Sequence, residues 1–128
     1  MIIFKDIETK LDKVISMAFE IKINSNIKQG EEHDLADIDI DALSYTKEEE
    51  ELCNYLKGLN DEEVHAIISI MYIGRDGYEG ITGNTDDILN ECMELLDIDK
   101  KEHEIYQMID KVVLYDYLAK GKYLLLNK

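Results

Sequence analysis

The fold of this chain depends on the stretch from Leu59 to Gly77, which reads LNDEEVHAIISIMYIGRDG. Asn60 and Glu63 have the spacing of a capping box, in which each side chain bonds a backbone N–H of the other at a helix start. Apolar residues then recur at helical spacing and predict one buried face: Val64, Ile67, Ile68 and Met71. We expect Gly74 to end this helix in the left-handed conformation, with Arg75 beside the negative end of the helix dipole.

Apolar residues at the same spacing predict further helices on both sides of this stretch. They are expected over residues 3–23, from Thr46 to about Gly58, from Asn84 or Thr85 to Leu96, and over residues 101–119 with a stop at Gly121. The chain of 128 residues has no proline or tryptophan, and 45% of its residues are hydrophobic. We therefore predict a single all-α domain over residues 1–128, a compact bundle of four to five helices.

Acidic residues are concentrated in the middle of the chain. The formal net charge is −15, and residues 29–99 alone carry 21 acids against two lysines and one arginine. Such a field opposes direct binding to nucleic acid or to an anionic membrane and attracts basic proteins. We expect a basic protein partner at an acidic surface made of Glu31, Glu32, Asp37, Asp39, Asp41, Glu48, Glu49, Glu50, Glu51, Asp61 and Glu62. A solvated acidic face without a partner is the alternative interpretation.

The function that we predict from these features is binding or regulation rather than catalysis. No Gly-x-Ser-x-Gly, Walker, zincin or Cys-x-x-Cys pattern is present, so we expect neither enzymatic activity nor a cofactor. If the basic partner handles nucleic acid, the acidic surface would imitate phosphate charge, as small phage-borne inhibitors such as anti-CRISPR proteins do. No apolar stretch reaches signal-peptide or membrane-spanning length, and we expect a cytoplasmic protein with reduced cysteines.

Residues 24–44 break the helical period and predict an acidic connecting segment after the first helix. Within and just after it, acids stand at relative positions 1, 3, 5 and 12 of a calcium-binding EF-hand loop: Asp37, Asp39, Asp41 and Glu48. Ala42 replaces the glycine that makes the sharp turn of that loop, and no convincing helix precedes Asp37. A calcium-binding module therefore remains an alternative to an acidic linker.

The loop Gly74–Gly83 is the candidate ligand site, with Gly74, Arg75, Asp76 and Gly77 as its central residues. Its backbone N–H groups could hold an anion or another small ligand, with Arg75 as the charge partner. The alternative interpretation is a helix stop followed by a turn. Arg75 is the only arginine in the chain, and we expect it to form an internal salt bridge to a carboxylate of the last helix or of the acidic segment.

Glu62 and His65 repeat the Glu-x-x-His spacing of di-iron helical bundles. That site needs a second such pair, and Lys100 occupies the position at which His103 would need its glutamate. We therefore interpret this pair as an exposed helix flank and predict no metal site.

The stretch from Leu59 to Gly77 also resembles the signature of the bacterial domain of unknown function 3775. The Leu-Gly-Arg-Gly-Asp turn of that family corresponds here to Ile73–Gly77, with the last two residues exchanged. KLDKVISMAFEIKI is similar to the first helix of the family, and YDYLAKG to its closing motif. The resemblance implies a small all-helical domain without an assigned activity, and it singles out Arg75 and its flanking glycines without implying any catalytic residue.

Overall fold

The computed structural model describes residues 2–29, 46–96, 100–111 and 113–127, with the side chains of residues 25–29 excepted. Over these ranges the chain contains six helices and no strand: α1 (Phe4–Gln29), α2 (Lys47–Lys57), α3 (Asp61–Asp76), α4 (Thr85–Leu95), α5 (Lys101–Ile109) and α6 (Leu114–Leu126). The all-α prediction is confirmed. The number of helices is higher than the predicted four to five.

Helix α3 is the centre of the fold and packs against α4, α5 and α6. The sequence predicts one buried face, but residues on every side of this helix are buried, Ala66, Ile70 and Ile73 among them. A helix that is apolar on all sides is stable in water only when other helices surround it. Helix α1 closes the bundle by packing against α2 and α6, and α2 also contacts α5.

Two glycines bring α3 and α6 into backbone contact. A Cβ atom on Gly74 would lie 1.8 Å from the carbonyl oxygen of Tyr117, and a Cβ on Gly121 would lie 2.1 Å from that of Ile70. The predictions that Gly74 and Gly121 end helices are therefore wrong, because both glycines are buried inside helices at a close crossing. Helix α3 continues to Asp76, and Gly77 caps it with a φ of 78°.

Helix boundaries differ from the prediction where the apolar period changes. Helix α1 extends to Gln29 and so includes residues 24–29 of the predicted connection, since a polar turn can propagate an existing helix without an apolar face. The predicted last helix over residues 101–119 is two helices, since α5 ends at Ile109 and α6 begins at Leu114. The remainder of the predicted acidic connection, residues 30–44, lies outside the described ranges.

The helix starts follow the sequence closely. The predicted capping box is present at Asn60, and two more join Thr46 to Glu49 at the start of α2 and Asn84 to Asp87 at the start of α4. At the other end of α2, Lys101 of α5 donates hydrogen bonds to the carbonyl oxygens of Lys57 and Leu59. The last carbonyl groups of a helix have no partner inside the helix, so such bonds stabilise its end.

The capping box of the central helix gives a testable stability effect. Asn60→Ala removes the acceptor for the backbone N–H of Glu63, and we expect a loss of about 1 kcal/mol in the free energy of unfolding. Asn54→Ala, on the exposed face of α2, is the matched control and should have little effect. Urea denaturation of both variants checks this, and equal losses would contradict the assigned role of the cap.

Candidate functional site

A groove between α1 and α2 collects three acidic side chains. Glu20 of α1 lies opposite Glu48 and Glu51 of α2, and the groove has a volume of about 240 Å³. Ile23, Asn24 and Lys47 complete its lining. Neither Glu48 nor Glu51 forms an ion pair with any residue in the described part of the chain.

An apolar strip continues this groove along α1 toward α6. Phe19 packs against Tyr115 with ring centroids 5.0 Å apart and ring planes inclined by 44°. Phe19 is 37% exposed and Ile23 is 43% exposed, although both are large apolar side chains. The neighbouring depression of about 320 Å³ shares Glu20 and Ile23 with the groove, so the two form one surface. We call it the α1–α2 surface and define it by Asp12, Phe19, Glu20, Ile23, Glu48, Glu51 and Tyr115.

The predicted acidic residues divide into separate groups. Glu48 and Glu51 belong to the α1–α2 surface, and Glu50 is exposed beside them, whereas Glu49 accepts a hydrogen bond from the backbone N–H of Thr46 at 2.9 Å.

The second group, Asp61 and Glu62, lies at the start of α3 and is exposed. It is separated from the first by the length of α2, whose eleven residues span about 16 Å. Their neighbour Glu63 forms an ion pair with Lys10 of α1, which lowers the pKa of the Glu63 carboxyl. Five of the predicted acids lie outside the described residues: Glu31, Glu32, Asp37, Asp39 and Asp41.

Metal binding has no geometric support in the described residues. No three of their His, Cys, Asp and Glu side chains are grouped closely enough to hold an ion. Of the calcium-spaced acids only Glu48 is described, and it lies in the first turn of α2. The calcium hypothesis therefore rests on residues outside the described ranges.

A cleft lies beside the predicted ligand residues. It has a volume of about 490 Å³ and lies between the C-terminal halves of α3 and α4 and the middle of α5. Its lining comprises Ser69, Tyr72, Ile73, Arg75, Asp76, Gly77, Ile81, Cys92, Leu95, Leu96 and Gln107. Three of the four central residues predicted for a ligand loop are thus placed together at one cleft, while Gly74 is buried against α6.

Arg75 is held by its neighbours on α3. Its Nε and Nη2 donate to the two carboxylate oxygens of Asp76 at 2.9 and 2.7 Å, and its guanidinium lies 4.6 Å from the centre of the Tyr72 ring. This bidentate pairing lowers the pKa of the Asp76 carboxyl. The predicted salt bridge to the last helix is wrong, because Arg75 and its partner Asp76 both lie at the exposed end of α3. The alternative partner, a carboxylate of the acidic segment, falls largely on residues outside the described ranges.

The glycine-rich loop after α3 is docked on α6. Gly77, Gly80 and Gly83 all have positive φ, which permits the tight turns of this loop. Tyr78 donates a hydrogen bond to the carbonyl oxygen of Leu124, and Thr85 donates one to that of Leu125 at 2.8 Å. These bonds satisfy carbonyl groups in the last turn of α6. The loop therefore has a structural role in addition to forming one edge of the cleft.

A polar pair that the sequence did not predict, one member buried and the other partly buried, lies between α3, α4 and α5. His65 of α3 has its Nδ1 2.5 Å from Oε2 of Glu104 on α5 and its Nε2 2.7 Å from the backbone oxygen of Met93 on α4. Glu104 is only 3% exposed. The interpretation of His65 as part of an exposed flank is wrong. The sequence contains a signal for the burial of Glu104, because this residue lies next to Ile105 and four residues before Met108, on the apolar side of α5.

The geometry of this pair requires a proton between His65 and Glu104. The oxygen of Met93 can only accept, so Nε2 of His65 carries a hydrogen and donates it. One proton must then lie between Nδ1 and the carboxyl group, on either atom, because two lone pairs would repel each other at 2.5 Å. Burial raises the pKa of the Glu104 carboxyl, and a raised pKa favours the state in which the pair retains this proton.

Comparisons of the whole chain with protein-family models, with curated proteins and with solved structures give no match. The resemblance to the domain of unknown function 3775 therefore stays a prediction. None of the helices in the described ranges combines the length and the apolar character needed to cross a lipid bilayer. Over the described residues the structure is all-helical, with an acidic, partly apolar surface at α1 and α2 and a cleft between α3, α4 and α5.

Proposed function

We propose that this chain is a non-enzymatic protein-binding or regulatory protein whose α1–α2 surface engages a basic protein partner. The observation that carries the proposal is one continuous surface that combines carboxylates with exposed apolar side chains. The carboxylates of Glu20, Glu48 and Glu51 form no ion pair within the described residues, and the apolar side chains are Phe19 and Ile23. Protein interfaces commonly have this composition, an aromatic or aliphatic centre with a polar rim.

The chemistry of the surface specifies the kind of partner. Lysine or arginine side chains would pair with the carboxylates around the groove, and an apolar side chain would cover Phe19 and Ile23. Basic segments of this kind are frequent in proteins that bind nucleic acid. In that case the acidic protein occupies a surface that would otherwise hold phosphate groups, and it acts as a competitor in the cytoplasm. The net charge of −15 supports fast, salt-sensitive association with such a partner.

A charge-neutralising pair of variants tests the location of this surface. Glu48→Gln combined with Glu51→Gln removes two carboxylates from the groove, and we expect partner affinity to fall about tenfold or more. Asp61→Asn combined with Glu62→Gln is the matched control, because it removes the same charge at the other end of α2. Capture from a lysate of the source organism, at low and moderate salt with mass spectrometry, identifies the partner.

The expected result is salt-sensitive capture of one basic, nucleic-acid-handling protein by the unchanged chain and by the control. The affinity for that protein, measured by calorimetry with purified components, should drop only in the groove variant. Equal losses in the two variants would mean that the net charge, and not the α1–α2 surface, attracts the partner. Unchanged affinity in the groove variant would contradict the proposal directly.

A further inference from the structure

The cleft beside Arg75 is lined in part by apolar side chains that are exposed to solvent. Leu95 is 69% exposed on its rim, and the partly buried side chains of Ile81 and Leu96 contribute further apolar surface. The volume of about 490 Å³ is within the range of small-molecule sites. A leucine this exposed gains no stability from the fold, but an apolar ligand in the cleft would remove it from water.

Two side chains of the cleft, Arg75 and Gln107, have hydrogen-bond donors that no bond in the described part of the chain occupies. Arg75 uses Nε and Nη2 for Asp76, and no hydrogen bond occupies its Nη1 within the described part of the chain. Gln107 accepts a hydrogen bond from the hydroxyl of Tyr72 at 2.7 Å through Oε1, which leaves its amide N–H groups for another acceptor. The Tyr72 ring and Asp76 hold the guanidinium in place, so little side-chain entropy is lost when a ligand binds it.

The neighbouring carboxylate limits the charge of the ligand. Asp76 already neutralises much of the charge on Arg75, and the surrounding chain is acidic. A phosphate group with nearly two negative charges would be repelled more strongly than a carboxylate with one. We propose that this cleft binds a small amphipathic carboxylate, with its head group on Arg75 and Gln107 and its apolar chain on Leu95 and Leu96. This site is separate from the α1–α2 surface and does not depend on it.

Cys92 provides a direct readout of occupancy. It lines the cleft and is partly exposed, whereas Cys53, the other cysteine of the chain, is buried in α2. Burial raises the pKa of the Cys92 thiol, so its alkylation is slow near neutral pH and is best followed at mildly alkaline pH. A ligand in the cleft would cover this thiol and slow its modification.

The experiment compares octanoate with octylamine, which have the same apolar chain and opposite head-group charges. We expect octanoate, below its micelle concentration, to slow the alkylation of Cys92 at least about fivefold, and octylamine to have little effect. Arg75→Gln should weaken octanoate protection about tenfold, and Arg75→Lys should weaken it less, because lysine keeps the charge but loses the planar fork. Lys13→Gln, which removes an exposed charge on α1, should leave protection unchanged.

Three other outcomes would each reject the proposal that the cleft binds a carboxylate. Equal protection by octylamine would show that the head group is not recognised as an anion. Full octanoate protection in Arg75→Gln would remove Arg75 from the site. No protection by octanoate at millimolar concentration would mean that the cleft does not bind this class of ligand, and it would leave the partner-binding proposal untouched. Far-ultraviolet circular dichroism of each variant verifies that the helices are intact.

Discussion

Replacing Gly74 by alanine is expected to destabilise the chain by about 3 kcal/mol or more, which lowers Tm by roughly 10 °C. Alanine is the better helix former by about 1 kcal/mol, so local preference alone would predict a gain. The clash decides the sign, because the new Cβ would lie 1.8 Å from the backbone oxygen of Tyr117 and only a separation of α3 from α6 could relieve it. Thermal and urea denaturation measure the effect.

Gly58→Ala is the matched control for this prediction. Gly58 ends α2 with a φ of −77°, which alanine also adopts, and a Cβ there would lie 3.4 Å from the nearest atom. We expect no loss of stability, or a gain of about 0.5 kcal/mol from the restricted unfolded chain. If Gly74→Ala were as well tolerated as Gly58→Ala, the close crossing of α3 and α6 would be wrong.

The second large effect is expected at the buried pair of His65 and Glu104. Glu104→Ala leaves Nδ1 of His65 without a partner and opens a cavity where the carboxyl group stood, and we expect a loss of about 3 kcal/mol. Glu104→Gln should cost much less, since its amide N–H can donate to Nδ1 while Nε2 still donates to Met93. Equal losses in the two variants would show that this hydrogen bond does not stabilise the fold.

The same pair predicts a pH dependence. Because burial raises the pKa of the Glu104 carboxyl in the folded chain, folding retains a proton that the unfolded chain releases near its ordinary glutamate pKa. The stability due to this proton is complete below that ordinary pKa and is lost as the pH rises through the raised one. Urea midpoints measured from acid to alkaline pH should therefore decline in the wild-type chain relative to Glu104→Gln, which has no such proton to lose.

The helical class and the helix starts were predictable because they depend on local patterns. Thr46, Asn60 and Asn84 each cap a helix by bonding the backbone three residues on, so the sequence nearby contains all the information needed. Gly74 and Gly121 were misinterpreted because a helix stop and a close helix crossing use the same residue type. Only the position of α6 against α3 distinguishes the two roles.

The candidate sites were predictable in part, for a similar reason. Arg75 and Asp76 were singled out by composition, but their cleft also needs side chains from α4 and α5, such as Cys92 and Gln107. Glu48 and Glu51 were expected on an acidic surface, whereas no prediction was made for the apolar residues of α1 beside them. Phe19 and Ile23 are exposed because the helices packed against α1 do not cover these two side chains.

The measurement that tests partner binding most directly is photo-crosslinking in cells of the source organism. A photoreactive phenylalanine analogue in place of Phe19 would lie at the centre of the α1–α2 surface, and one in place of Tyr123, 63% exposed on α6, is the control. We predict that position 19 forms an adduct with a basic, nucleic-acid-handling protein and that position 123 does not. Adducts at position 123 alone, or none at position 19, would contradict the proposed surface.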